Sequence, residues 1–391
     1  MANVCVINSL YRPFLRGGAE TTVERIVNGL LAAGHTVSVV TLGTTEEVAR
    51  DGRLTIYRIV PLNIFSFLVI NQRAIWLRIF WHPLDVFNVS GALKVRKILR
   101  EVGPDVVMTH NLKGLGYLIP RGIQKLGIQH IHTLHDVQLS RPSGLILFGR
   151  EKPFLILDKI YEKICRRLFA NPDIIISPSK WLLEYYKIRG FFYQSKKIVL
   201  PNPVELIGQP PVEQPDRRGV VTLLYVGQLE RYKGIFLLLE ALKNVDYRNW
   251  QLIIVGNGGS TDEVARITKG DERFQLVGRV DPVEMPQWYR RADLTIVPSL
   301  CYENSPSVIP ESLVANVPVI AADIGGAGEI ITDNVNGFTF APGSVKSLTE
   351  VLNHFLARPE TVAELKKHAF TSVRDYSLNR YIASLEQMFP R

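Results

Sequence analysis

The chain has 391 residues, too many for one ordinary domain and enough for two of about 150–200 residues each. Hydrophobic residues make up 46% and charged residues 21%, which excludes a disordered chain and fits well-filled cores. Lys and Arg outnumber Asp and Glu by 46 to 37, but the excess is uneven: residues 1–200 hold 27 basic and 14 acidic side chains, and residues 201–391 hold 19 and 23. A basic half suits nucleic acid, anionic lipid or a phosphorylated ligand, and charge does not choose among them.

Cys5, Cys165 and Cys301 form neither a C-x-x-C pair nor a disulfide framework, so a reducing cytoplasm is the expected compartment. The first ten residues lack the basic start and long apolar stretch of a secretory signal. The most apolar window, residues 59–81, is interrupted by Asn71, Gln72, Arg73 and Arg78. It is no membrane span, which needs about 20 largely uncharged residues. An amphipathic surface element and a plain core-and-loop segment both stay open.

Along the first half, β-branched apolar runs at 4–8, 36–41, 54–60, 105–109, 130–134 and 173–177 predict strands. Helical patterns lie at 20–33, 91–102 and 156–170, with Gly34 a C-terminal stop for the first. The strands are continuously apolar, so both sheet faces are covered. Five prolines between Pro201 and Gly219 then mark a linker. Strands are expected again at 220–226, 251–255, 274–276, 294–297, 319–321 and 337–340, with helices at 236–243, 262–268, 307–315 and 347–357. The alternation predicts two α/β units with parallel sheets, whose ligands lie outside the carboxyl ends of the strands.

Candidate chemistry sits at those ends. Gly17 and Gly18 precede the first helix, where backbone N–H groups and the positive end of the dipole attract an anion. No G-x-G-x-x-G accompanies them, which disfavours a nicotinamide cofactor. His135 and Asp136 follow a buried-looking strand, while His130 and His132 lie within it and are expected to be packed. Their spacing matches no structural zinc pattern. Gln228, Arg231 and Lys233 lie between a strand and a helix, and Lys233-Gly234 offers a point charge with backbone donors for a diphosphate. Glu303 and Glu311 stand eight residues apart, one in a loop and one in the next helix, and a carboxylate accepts hydrogen bonds from vicinal hydroxyls. Asn316 suits a left-handed helix end, and Pro318 stops continuation.

In order along the chain, RGGAE, TLHD, SPS, PNPVE, VGQLERYKG, VGNG, E-x7-E with PVIAADIGGAGEII, and NGFTF resemble the retaining glycosyltransferases of family 4, with the GT-B fold. The resemblance spans nearly the whole chain, and its last block is the most specific. It implies two Rossmann-like doubly wound domains facing across a cleft. Residues 1–202 would form the acceptor-side domain, 203–219 the linker and 220–371 the nucleotide-sugar-binding domain. Residues 372–391 would form a helix crossing back to the first domain.

The resemblance implies that Glu303 contacts the donor sugar near the reacting carbon, that Glu311 binds the nucleotide ribose, and that Lys233 neutralises the diphosphate. His135 would stand near the transferred sugar, and Gly17 and Gly18 would close over the phosphates and acceptor. Gly278 and Arg279 would lie near the base. Three departures stand out. Gln228 occupies a position that is often Arg, so Arg231 is the expected substitute. Asn304-Ser305-Pro306 replaces a common Gly-Phe-Gly, which leaves Ser305, Ser307 and Val308 as backbone phosphate donors. Asn316 replaces a common Gly.

The expected reaction transfers a sugar from a nucleoside diphosphate to an acceptor hydroxyl with retention, without cofactor or metal. The setting would be polysaccharide or glycolipid synthesis. A nucleotide-sugar epimerase shares the architecture, but the E-x7-E block favours transfer. A non-catalytic sugar- or nucleic-acid-binding protein lacks any supporting motif. Arg73, Arg78, Lys94, Arg96, Lys97 and Arg100 flank an apolar segment with Trp76 and Trp81, and Lys196 and Lys197 follow Phe191, Phe192 and Tyr193. Apolar wedges edged with cations suit a lipid-linked acceptor and peripheral contact with the anionic inner face of the cytoplasmic membrane. Nucleic acid is not an expected partner, and the base, sugar, acceptor and oligomeric state have no signature in the sequence.

Overall fold

The computed structural model describes residues 1–14, 17–152, 156–169, 171–206 and 219–390. Leu15 and Arg16 of the glycine loop, Ala170 at the end of a predicted helix, residues 207–218 of the linker and Arg391 lie outside the described residues. The chain divides into two units. One comprises Met1–Gly144, Lys152–Pro203 and Leu378–Arg391, and the other Leu145–Glu151 and Val204–Ser377.

The first unit is built on eight strands: β1 Asn3–Ile7, β2 Thr36–Leu42, β3 Glu47–Asp51, β4 Leu54–Ile59, β5 Val106–Thr109, β6 Gln129–Thr133, β7 Ile174–Ser177 and β8 Lys196–Val199. They run in the order β3-β4-β2-β1-β5-β6-β7-β8. All pairs are parallel except β3 with β4, a hairpin turned at Gly52, whose φ of +57° a side chain would resist. The strands of the middle carry Val, Ile and Met that are fully buried, as a sheet covered on both faces requires. The outermost strands read differently. Glu47, Arg50 and Asp51 in β3, and Lys196 and Lys197 in β8, put charge on the edges, which blocks pairing with other chains. That charge is also why neither strand shows in the apolar pattern.

The helix Gly18–Ala32 buries Val23, Ile26, Val27 and Leu30, and the chain leaves it through Gly34 at φ +97°. The final helix, Leu378–Glu386, packs on it across Gly29, where a Cβ would come within 2.7 Å of Ile382. His35 Nε2 lies 2.9 Å from Glu386, and the Gln129 amide donates to the Met388 carbonyl. These contacts hold the end of the chain in the first unit.

The second unit has β9 Val221–Val226, β10 Trp250–Val255, β11 Phe274–Gly278, β12 Leu294–Val297, β13 Val319–Ala322 and β14 Gly337–Phe340. All are parallel, in the order β11-β10-β9-β12-β13-β14. Leu223, Leu238, Leu252, Ile254, Leu294 and Leu348 centre its core. The stretch Leu145–Glu151, placed by the sequence with the first domain, packs here instead. Leu147 bridges Cys301, the Phe148 N–H donates to the Leu300 carbonyl, and the Tyr302 N–H donates to that of Ile146. Both sheets reverse their order once, at β1/β5 and at β9/β12, and there the carboxyl ends open a crevice for ligands.

Candidate functional site

In the second unit, Lys233 and Glu303 flank the reversal point. Lys233 lies beyond β9 and Glu303 beyond β12. The two loops meet because Gly234, at φ +78°, has no side chain; a Cβ there would fall 1.7 Å from the Pro298 carbonyl oxygen. Lys233 Nζ stands 2.9 Å from Glu303 Oε2, with both side chains largely buried. Burial works against the lysine's charge. The neighbouring Glu303, by its charge and its hydrogen bond, helps outweigh it, and the pKa rises, so Lys233 stays a cation. Glu303 is fixed from behind by Gly325 and Gly326. Gly325 sits at φ +63° with its Cβ position 2.5 Å from the Glu303 carbonyl oxygen, and Gly326 donates its N–H to that oxygen at 2.8 Å. This contact accounts for the glycine pair in the sequence.

Glu311 projects from the helix Val308–Val314, which begins after Ser307, and accepts a hydrogen bond from the Tyr289 hydroxyl at 3.3 Å. Ser305 and Pro306 precede that helix, whose first N–H groups have no partner inside it. Asn316 ends it at φ +58°. Gln228 Oε1 accepts from the Tyr232 hydroxyl at 2.8 Å. Arg231, the expected stand-in cation, is turned to Glu263 at 2.7 and 2.8 Å and stacks on Phe236; it bonds neither Gln228 nor Glu303. Gly278 closes β11 at φ +83°, and Arg279 follows it, exposed.

In the first unit, His135 follows β6 and shares a 2.9 Å hydrogen bond with His110, which follows β5 at the reversal point. Burial pushes the His135 pKa down to about 4 and that of His110 well below its usual value. Two neutral imidazoles therefore face one another. His110 Nε2 is fully buried with no hydrogen-bond partner among the described residues. His110 was not anticipated from the sequence; its signal is a histidine one residue past the end of a buried strand. His130 Nε2 and His132 Nδ1 both bond the Thr109 hydroxyl, at 2.6 and 2.8 Å, so both are packed. Asp136 accepts from the Gln138 N–H, and burial raises its pKa to about 6. Gly17, in extended backbone, donates its N–H to Glu20 at 2.7 Å, closing the start of the helix that Gly18 begins.

The profile described as Glycosyltransferase Family 4 matches residues 16–206, and that described as Glycosyl transferases group 1 matches residues 213–371. The chain is a glycosyltransferase of the group 1 type. The glycosyltransferase is 29% identical to the lipopolysaccharide 1,2-N-acetylglucosaminetransferase of Salmonella typhimurium, over 73% of each chain. Its fold is shared with the sucrose-phosphate synthase of Thermosynechococcus elongatus (TM-score 0.77, 18% identity, 99% and 98% of the two chains). It is shared too with Anabaena HepE solved with UDP (TM-score 0.72, 17% identity, 99% of each). Among the described residues of the glycosyltransferase, no cluster of three or more His, Cys, Asp or Glu has the arrangement of a metal site. No helix there is long and apolar enough to cross a membrane.

Proposed function

We propose that this glycosyltransferase moves a sugar from a nucleoside-diphosphate sugar to an acceptor hydroxyl with retention of anomeric configuration, in the synthesis of a cell-envelope polysaccharide or glycolipid. The observation that carries this is the Lys233–Glu303 pair at the reversal point of the second sheet. Lys233 has three N–H donors, and Glu303 takes one. The others serve the diphosphate, with the amides of Ser305, Ser307 and Val308. When the sugar–oxygen bond breaks, its electron pair goes to the leaving phosphate. Charge develops where the cation already stands, which is the largest catalytic effect of most such sites.

Glu303 faces the sugar, whose reacting carbon gains positive character. The acceptor oxygen bonds to that carbon on the side the phosphate leaves, and its proton passes to a phosphate oxygen. Glu311 holds the ribose hydroxyls, Gln228 the phosphates and Gly278 with Arg279 the base, while His135, oriented by its hydrogen bond to the buried His110, serves the sugar as a neutral hydrogen-bond partner. The UDP held by HepE and the lipopolysaccharide acceptor of the Salmonella relative support this assignment. The test is to supply candidate nucleotide sugars with glycolipid acceptors and read the new linkage by NMR. A product of retained configuration, formed equally with EDTA, is expected. An inverted linkage, a requirement for divalent metal, or isomerised sugar nucleotide without transfer would overturn it.

A further inference from the structure

The helix Ile75–Val86 of the first unit turns its apolar side outward. Trp76, Ile79, Phe80 and Leu84, with Phe87 just beyond, recur at helical spacing, and all are exposed, Trp76 and Phe80 by 62% and 63%. Leu62, Ile64, Val89 and Leu93 are exposed in the flanking chain. The opposite side does the packing. Trp81 is buried, stacked on Phe65 and Phe67, and donates its indole N–H to the Phe65 carbonyl at 2.7 Å. Asp85 is buried and accepts from the Gly114 N–H at 2.8 Å. An ordinary surface helix puts its apolar stripe inward. This one is fastened through Trp81, Asp85 and Val86 and still shows a second apolar stripe to solvent. Of the other aromatics in the cation-edged wedges, Phe191 and Phe192 are core.

Charge identifies what the stripe meets. Residues 46–100 contain nine Lys and Arg and four acidic residues, of which Glu47 pairs with Arg58 and Asp85 is buried. Lys94 is paired with Glu46, whereas Arg73, Lys97 and Arg100 are exposed. The Arg78 guanidinium is held on the carbonyls of Arg73 and Asn71, beside the helix. A second copy would set this basic patch against itself, since a two-fold interface joins the same patch on both partners. An anionic bilayer offers both the apolar phase and the opposite charge. At 12 residues the helix is about 18 Å long, against about 30 Å of hydrocarbon, so it lies in the interface plane.

The helix also has a functional address. Phe67, which stacks on Trp81, and Leu42 at the end of β2 both close on Gly114, four residues beyond His110; a Cβ at Gly114 would come within 2.7 Å of both side chains. The stripe thus belongs to the carboxyl end of the first sheet, with His110 and His135.

We propose that the Ile75–Val86 helix seats the protein on an anionic lipid bilayer, and that the acceptor is anchored in that bilayer and enters at this end of the first sheet. The docking stands by itself; the acceptor's place rests on the sugar-transfer function. The full chain is sedimented with vesicles of phosphatidylcholine alone and with one-third phosphatidylglycerol. Binding to the anionic vesicles only, released by high salt, is expected. The double variant Trp76→Ser/Phe80→Ser should lower that partition at least about tenfold, with an unchanged melting midpoint and unchanged transfer to a soluble acceptor. No binding by the natural chain at low salt would overturn the proposal, as would equal binding by the variant. Concentration-dependent dimers that the variant abolishes, without vesicle binding, would assign the face to a second copy and overturn it too. Vesicle binding is read without turnover, so its loss leaves the sugar-transfer assignment intact. An inactive protein that still binds vesicles would count only against that assignment.

Discussion

The two units handle buried charge in opposite ways. In the second, charges are matched: Lys233 with Glu303 at 2.9 Å and Lys366 with Asp293 at 2.7 Å. In the first, alongside the His35–Glu386 and Arg189–Glu162 pairs, several titratable groups are governed by burial instead. His110 and His135 are kept neutral by burial, and the carboxyls of Asp85 and Asp136 accept from backbone amides while burial raises their pKa values to about 7 and about 6. Matched charge keeps one protonation state over a wide pH range, which suits a site built to meet a diphosphate. Asp85 and Asp136, raised by burial, can hold or yield a proton near neutrality, so the stability they contribute depends on pH. One unit supplies fixed charge and the other supplies neutral hydrogen-bonding groups.

That division is broken most directly at Lys233. Lys233→Ala should lower sugar-transfer turnover about a hundred- to a thousandfold, the usual loss when one preorganised donor to developing charge is removed. It also strands Glu303, so Lys233→Ala/Glu303→Gln should recover melting midpoint without recovering turnover. Recovery of both would make the pair merely structural.

His110→Ala should come next, with turnover down about ten- to a hundredfold, as for the loss of one or two buried hydrogen bonds. Affinity for the nucleoside diphosphate of the donor, measured by calorimetry, should not change, because its proposed site lies in the other unit. A change in affinity without a change in turnover would erase the division. Glu311→Ala should do the reverse, weakening the donor's nucleoside diphosphate about tenfold, the worth of a hydrogen bond to a charged group, with a smaller effect on turnover at saturation.

The same division explains what could be read from the sequence. Fixed-charge chemistry leaves local marks: Lys233 beside a helical glycine, and two glutamates spaced around a helix start. Strands β1, β2, β5 and β9 showed as apolar runs because both their faces are buried. The edge strands β3 and β8 did not, since their charges serve exposure rather than packing. Arg231 reads as a phosphate ligand, and the sequence gives no sign of its exposed pair with Glu263, 32 residues on. The His110–His135 bond joins residues 25 apart on neighbouring strands, and only the strand order reveals it. Leu145–Glu151 reads as part of the first domain because its partners at Leu300–Tyr302 lie some 150 residues away. Segment 59–81 was ambiguous for a different reason. Trp76 and Trp81 have the same apolar character in sequence, yet one is exposed and the other buried.

The smallest effect tests the unmatched side through stability alone. Asp85 has a folded pKa near 7 because burial dominates over the Gly114 N–H and the charge of Lys113, both of which pull it down. In the unfolded chain it would titrate near the ordinary value of about 3.9. Below that pH both states hold the proton, and the full stability is present. As pH rises, the unfolded chain releases the proton first while the folded chain keeps it. Stability therefore falls until the folded carboxyl also ionises, near pH 7, and is flat above.

Asp85→Asn keeps an oxygen for the Gly114 N–H and cannot ionise. Its melting midpoint should exceed that of the natural chain by an amount that grows between pH 4 and 7 and then levels off, with about 2–4 °C for each kcal/mol in a domain of this size. His110, His135 and Asp136 titrate equally in both proteins and cancel from the difference. A gap independent of pH, or a less stable variant at pH 8, would mean that this carboxylate is compensated after all, as its counterparts in the second unit are.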